Sequence, residues 1–100
     1  MANIMGYETI TTFWMDFTIA DAFGIDAVKD TFERAFAEWK GNYKYLTELV
    51  LVLNWKIWDH YEKSNEPLAR VYNDLWIKAN DYAWENLKGE ELDYFFLTTD

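Results

Sequence analysis

Apolar residues recur along the chain at helical spacing, and the recurrence is densest between positions 46 and 58, where the sequence reads LTELVLVLNWKIW. At about 100° per residue, Leu46, Leu49, Val50, Leu53 and Ile57 fall on one side of a helix, and Leu51, Trp55 and Trp58 fall roughly opposite. A helix that is apolar on two sides needs cover on both. The spacing therefore predicts a central helix over about 43–63, with the other elements arranged around it.

Over 27–40, Val28, Phe32, Ala35, Phe36 and Trp39 form one stripe, and Asp30, Arg34 and Glu38 alternate in charge on the other side. Asp26 is the expected N-cap of this helix and Gly41 its stop. A further helix is expected after an Asn65 or Ser64 cap, with Pro67 in its first turn and its stop at Gly89. Leu68, Tyr72, Leu75, Ala79 and Ala83 make its buried stripe, and Glu66, Arg70, Asp74 and Lys78 its solvated one. Ile77 and Trp84 lie on that charged side, seven residues apart and so superposed. The tail, the N-terminal lead-in or a partner should cover them.

Nearer the N-terminus, 12–23 reads as a helix with Phe13, Phe17 and Ala20 on one side and Met15, Ile19 and Ala22 on another, stopped by Gly24. Residues 1–11 hold a β-branched run at 9–12 with no second strand to pair with, so an extended lead-in is expected. The tail 89–100 carries Leu92, Tyr94, Phe95, Phe96 and Leu97, too apolar to dangle. The expected fold is one domain over 1–100, an all-α compact bundle of four helices, with the helix at about 43–63 central and a short docked C-terminal segment.

Composition adds a surplus. One residue in five is aromatic and six are Trp, more than a core of this size needs, and aromatics are over-used at interfaces. The net charge of −9 is concentrated at the ends. Residues 1–25 hold Glu8, Asp16 and Asp21 with no base, and 89–100 hold Glu90, Glu91, Asp93 and Asp100 with none, while the middle nearly balances. Such a surface repels nucleic acid and anionic membrane. There is no Cys, hence no disulfide, thiol nucleophile or Cys-ligated zinc. The start of the chain has no signal-peptide pattern, and the longest apolar run, 49–53, is far short of a membrane span. The expected location is the cytoplasm.

Catalytic chemistry finds little to build on. His60 is the only imidazole, and the position three before it is Ile57, so the Glu-x-x-His pattern of di-iron bundles is absent. It reads as a half-buried histidine with one hydrogen bond. Ser64, the only serine, reads as a cap at a helix junction. The four glycines stand singly and make no phosphate loop. The carboxylate pairs, Asp81 with Glu85 and Glu90, Glu91 with Asp93, do not match a calcium loop. No cofactor or metal is expected. Residues 19–25 before the second helix imitate a helix-turn-helix, but the would-be reading helix opens with Asp26, Asp30 and Glu33, which would face phosphates. Direct nucleic-acid binding is not expected.

Two stretches, LNWKIW at 53–58 and NLKGEELD at 86–93, resemble small acidic helical proteins encoded on conjugative elements and phages of Gram-positive bacteria. The resemblance covers most of the chain after about residue 9. It implies a role in element maintenance or host-defence evasion and carries over no catalytic or binding residues.

The functional expectation is a non-enzymatic protein–protein interaction module, with a homodimer among its forms, using Leu51, Trp55, Trp58, Ile77 and Trp84. The alternative is an acidic mimic of nucleic acid that inhibits a host DNA-binding or defence protein through Glu85, Glu90, Glu91 and Asp93. That second reading requires residues 8–21 and 85–100 to meet on one surface.

Overall fold

A computed structural model describes residues 2–99 of the chain, and side chains from Glu8 to Thr99. It contains five helices and, among the described residues, no strand: α1 (Ala2–Phe23), α2 (Ile25–Ala37), α3 (Tyr43–Glu62), α4 (Glu66–Asn86) and α5 (Glu90–Thr99). The radius of gyration, 13.1 Å, is that of a compact chain of this length, and all five helices contribute to one core. No helix among the described residues is long and apolar enough to cross a membrane.

α3 packs against each of the other four helices. Its first face, Leu46, Leu49, Val50, Leu53 and Ile57, is buried. It is met by Val28, Phe32 and Ala35 of α2, by Leu68, Tyr72, Leu75, Ala79 and Ala83 of α4, and by Phe13, Phe17 and Ala20 of α1, all buried in the same cluster. Edge-on aromatic pairs link the layers: Phe13 with Tyr45, Phe17 with Tyr72, and Phe36 and Trp39 with Tyr82.

Three expectations are corrected. The extended lead-in at 1–11 is helical from Ala2 onward, while Met1 lies outside the described residues. Extending a formed helix closes one hydrogen bond per residue, the threonines cost only tenths of a kcal/mol each, and Ile10 packs on the core. The second helix begins at Ile25 and ends at Ala37, with Gly24 in place of Asp26 at its N-cap. Its early end follows from two successive left-handed residues, Lys40 (φ 40°) and Gly41 (φ 84°), in the turn that delivers Asn42 to cap α3. The tail is itself a helix, α5, anchored by the buried Phe95, so the bundle has five helices rather than four and a segment.

The connections have local causes. Gly24 is the single residue between α1 and α2, at φ 113° and ψ −177°, a conformation open essentially only to glycine. Asn42 and Asn65 each accept a backbone N–H with the side-chain oxygen, from Tyr45 and Leu68 respectively. Ser64, at φ 58°, closes α3, where the Asn65 N–H reaches back to the His60 carbonyl at 2.8 Å. The capping oxygen thus belongs to Asn65, and Ser64 makes the turn.

Candidate functional site

The second face of α3 is a lane at i, i+4, i+7, i+11 and i+14: Lys44, Glu48, Leu51, Trp55 and Trp58. Lys44 is exposed at its start, and from Glu48 onward exposure rises. Glu48 is buried, Leu51 half-buried, Trp55 43% exposed and Trp58 61% exposed. The cause is the length of its cover. α5 seats on α3 and α4, its Tyr94 ring meeting Tyr43 at 5.4 Å and the Lys44 ammonium at 5.6 Å. Ten residues of helix span roughly 15 Å where twenty span roughly 30 Å, so α5 covers only the first half of the lane.

α4 borders the same valley from the other side. Trp84 meets Phe95 at 6.3 Å and Phe96 at 5.9 Å, both edge-on, and still stands 47% exposed. Ile77, two turns earlier on that strip, is 43% exposed. α3 and α4 run antiparallel through a short turn, and His60 stacks on Tyr72 at 5.4 Å. Counting five residues back from His60 and five on from Tyr72 puts Trp55 level with Ile77. By this register Trp55 and Ile77 lie seven residues from Glu48 and Trp84 respectively, and with Trp58 they stand exposed beyond the end of α3 and α4 that α5 occupies. Tyr61 extends this exposed group, its ring 6.1 Å from that of Trp58.

The acidic residues do not assemble in this way. Glu85, Glu90 and Asp93 are exposed and Glu91 is half-buried. Glu90, Glu91 and Asp93 occupy the first turn of α5, where carboxylates offset the positive end of the helix dipole. Among the described residues α1 packs on α2 and α3 and α5 on α3 and α4, with no substantial packing between α1 and α5. Phe13 of α1 meets Tyr45, and Tyr94 of α5 meets Tyr43, so both helices reach the start of α3 without packing substantially on each other. Asp21 is turned inward.

That inward turn belongs to a cluster whose assembly the hydrophobic pattern alone does not reveal. Asp21 of α1 takes three donors: Lys56 Nζ at 2.7 Å and His60 Nε2 at 2.8 Å on one oxygen, and the Tyr72 hydroxyl at 2.5 Å on the other. Lys56, 1% exposed, also donates to Thr18 Oγ1 at 3.3 Å and lies 4.6 Å from the centre of the Trp14 ring. Asp59 sits 3.9 Å away and is held by Lys63 at 3.0 Å. Burial, the bond to Asp21 and the negative charges of Asp21 and Asp59 push the Tyr72 phenol well above its ordinary value, so it remains a donor. His60 keeps the single hydrogen bond expected of it and is buried more fully than half, with Nδ1 unpartnered.

Three helices meet at this cluster, and both oxygens of its carboxylate accept hydrogen bonds. It ties α1 to α3 and α4. A signal was present in the pattern: Lys56 and His60 continue the Leu49–Leu53 stripe at i+7 and i+11, so the stripe carries two polar groups inward. Among the described residues no three His, Cys, Asp or Glu side chains are placed to hold a metal ion. Comparison with protein-family models, curated proteins and solved structures finds no match to this chain.

Proposed function

We propose that the chain is a non-enzymatic protein–protein interaction module whose binding face is the open end of the α3–α4 valley, lined by Leu51, Trp55, Trp58 and Ile77. The observation that carries this is the half-length cover. α5 demonstrates within one chain that the valley takes an aromatic-bearing helix, and the second half is left with two tryptophans about half in water. Exposed apolar clusters of this kind mark interaction sites, and tryptophan leads the residues that dominate binding energy. Trp84 and Phe96 extend the face on the far side of α5.

A second copy is the partner the face fits. The four lining residues carry no charge, so two such faces exclude water from each other without selecting a sign of partner. The chains themselves carry −9 each and repel, so association tightens with added salt. Acidic mimicry of nucleic acid makes the opposite prediction, a complex with a basic partner that weakens with salt.

Sedimentation velocity over a concentration series tests the reading. The wild type is expected to self-associate and to do so more tightly in salt. Trp55→Ser with Trp58→Ser should weaken self-association by at least about 30-fold, the equivalent of one lost hot-spot residue, with helix content unchanged by circular dichroism. A wild type that stays monomeric throughout contradicts this assignment.

A further inference from the structure

We infer that the groove between α1 and α2 is a second docking surface, and that its occupant is a basic amphipathic helix of another protein. The groove has a volume of about 690 Å³ and is lined from Glu8 to Phe23 along α1 and from Ala27 to Glu38 along α2, with Tyr45 of α3 contributing to its wall. Sixteen residues of α1 span roughly 24 Å, the length of a helix of four to five turns. The groove's floor holds the buried Phe13, Ala20 and Ala35, and two of its apolar residues stand in the open: Ile19 is 57% exposed and Phe23 80% exposed. An aromatic ring so exposed at the lip of an elongated groove suits the helix-in-groove mode, in which anchors at i, i+3, i+4 and i+7 enter an apolar channel.

Charge selects the occupant. Four carboxylates line the groove, Glu8, Asp16, Asp30 and Glu38, against one cation, Arg34. Asp30 already holds Arg34 at 3.3 Å. Three carboxylates are left without a basic partner among the lining residues. Their field reaches inward: Tyr45 has its phenol raised by burial and then by the charges of Glu38 and Asp16. The polar groups sit along the channel rather than converging at one point, which suits a side-chain row on a helix better than a small molecule. A helix with lysine or arginine flanking its apolar stripe matches both the length and the sign. This surface is separate from the Trp55 and Trp58 face, so the two assignments fail independently.

The probe is a fluorescein-labelled sixteen-residue peptide with leucine at i, i+3, i+4 and i+7 positions and lysine flanking them. Its control has glutamate for every lysine. Anisotropy titrations of the wild type should show binding of the lysine peptide that weakens with salt, and binding of the glutamate peptide weaker by at least about 30-fold. Asp16→Asn with Glu38→Gln should weaken the lysine peptide about tenfold, Phe23→Ser about fivefold or more, and Trp58→Ser not at all. Thermal melts of each variant confirm that the fold is retained. Equal binding of the two peptides overturns the proposal, as does a charge variant that binds like wild type. Loss of binding on Trp58→Ser places the peptide on the other face and overturns it too. If Phe23→Ser instead abolishes self-association, the groove is filled by a second copy and the basic partner is excluded.

Discussion

Lys56→Met will lower the unfolding free energy by about 3–5 kcal/mol, the usual result of removing one partner from a buried ion pair. Methionine keeps most of the side-chain length, so little of the loss comes from a cavity. What is lost is the cation on Asp21 at 2.7 Å and the ring contact with Trp14. The carboxylate keeps His60 and Tyr72 but retains a buried charge. Against a typical total of about 5–15 kcal/mol this is the largest effect of any single substitution considered. Urea unfolding at neutral pH measures it. Adding Asp21→Asn in the same chain removes the stranded charge while an amide oxygen can still accept from Tyr72, and at least half the loss should return. If the two substitutions simply add, the ion pair is not what joins α1 to α3 and α4.

The second large effect depends on pH and centres on Glu48. Its side chain lies in the α3 lane at 4% exposure, with Oε2 lacking any hydrogen-bond partner. Burial raises its carboxyl from 4.5 to about 7, against a lowering pull from Lys44 one turn away. Between those two values the folded chain holds a proton that the unfolded chain has released. Stability contributed at this position is therefore complete below pH 4.5, falls as pH rises to about 7, and is level above. Glu48→Gln carries the neutral form at every pH. The variant should match wild type near pH 4.5 and exceed it above pH 7, by about 1–2 kcal/mol once solvent screening is allowed for. Urea unfolding of both proteins across this range reads the difference directly, and a difference constant with pH would remove burial of the ionised carboxylate as its cause.

Much of the bundle is legible in periodicity because the stripes are long and undiluted. Val28, Phe32 and Ala35 on one helix, and Leu68, Tyr72, Leu75, Ala79 and Ala83 on another, are all buried as their spacing requires. The misreadings lie where local signals compete with tertiary ones. Thr9, Ile10, Thr11 and Thr12 have strand propensity, yet they continue a helix whose Ile10 reaches the core. Lys40 adopts a left-handed conformation that no lysine announces. Asp21, Glu48 and Lys56 look like surface charges in a one-dimensional reading. They are buried or nearly so because each shares a helix face with apolar neighbours, and a carboxylate on α1 meets an ammonium on α3 only once the helices are packed.

The candidate face was legible in part. Spacing alone separates Leu51, Trp55 and Trp58 from the core stripe, and it superposes Ile77 on Trp84. It cannot say how far the tail reaches. That depends on α5 being ten residues long and seated at the Lys44 end of α3, which leaves the tryptophans at the other end uncovered.

The six tryptophans make that face directly observable, since each indole N–H gives its own cross-peak in a ¹⁵N-correlated spectrum. With the peaks assigned by substitution, spectra are recorded as protein concentration is raised. The binding face proposed above predicts that the Trp55 and Trp58 indoles shift or broaden with concentration while those of Trp14, Trp39 and Trp76, packed against the core, stay in place. Six peaks that hold their positions across the series, or movement confined to tryptophans outside the open valley, would contradict it.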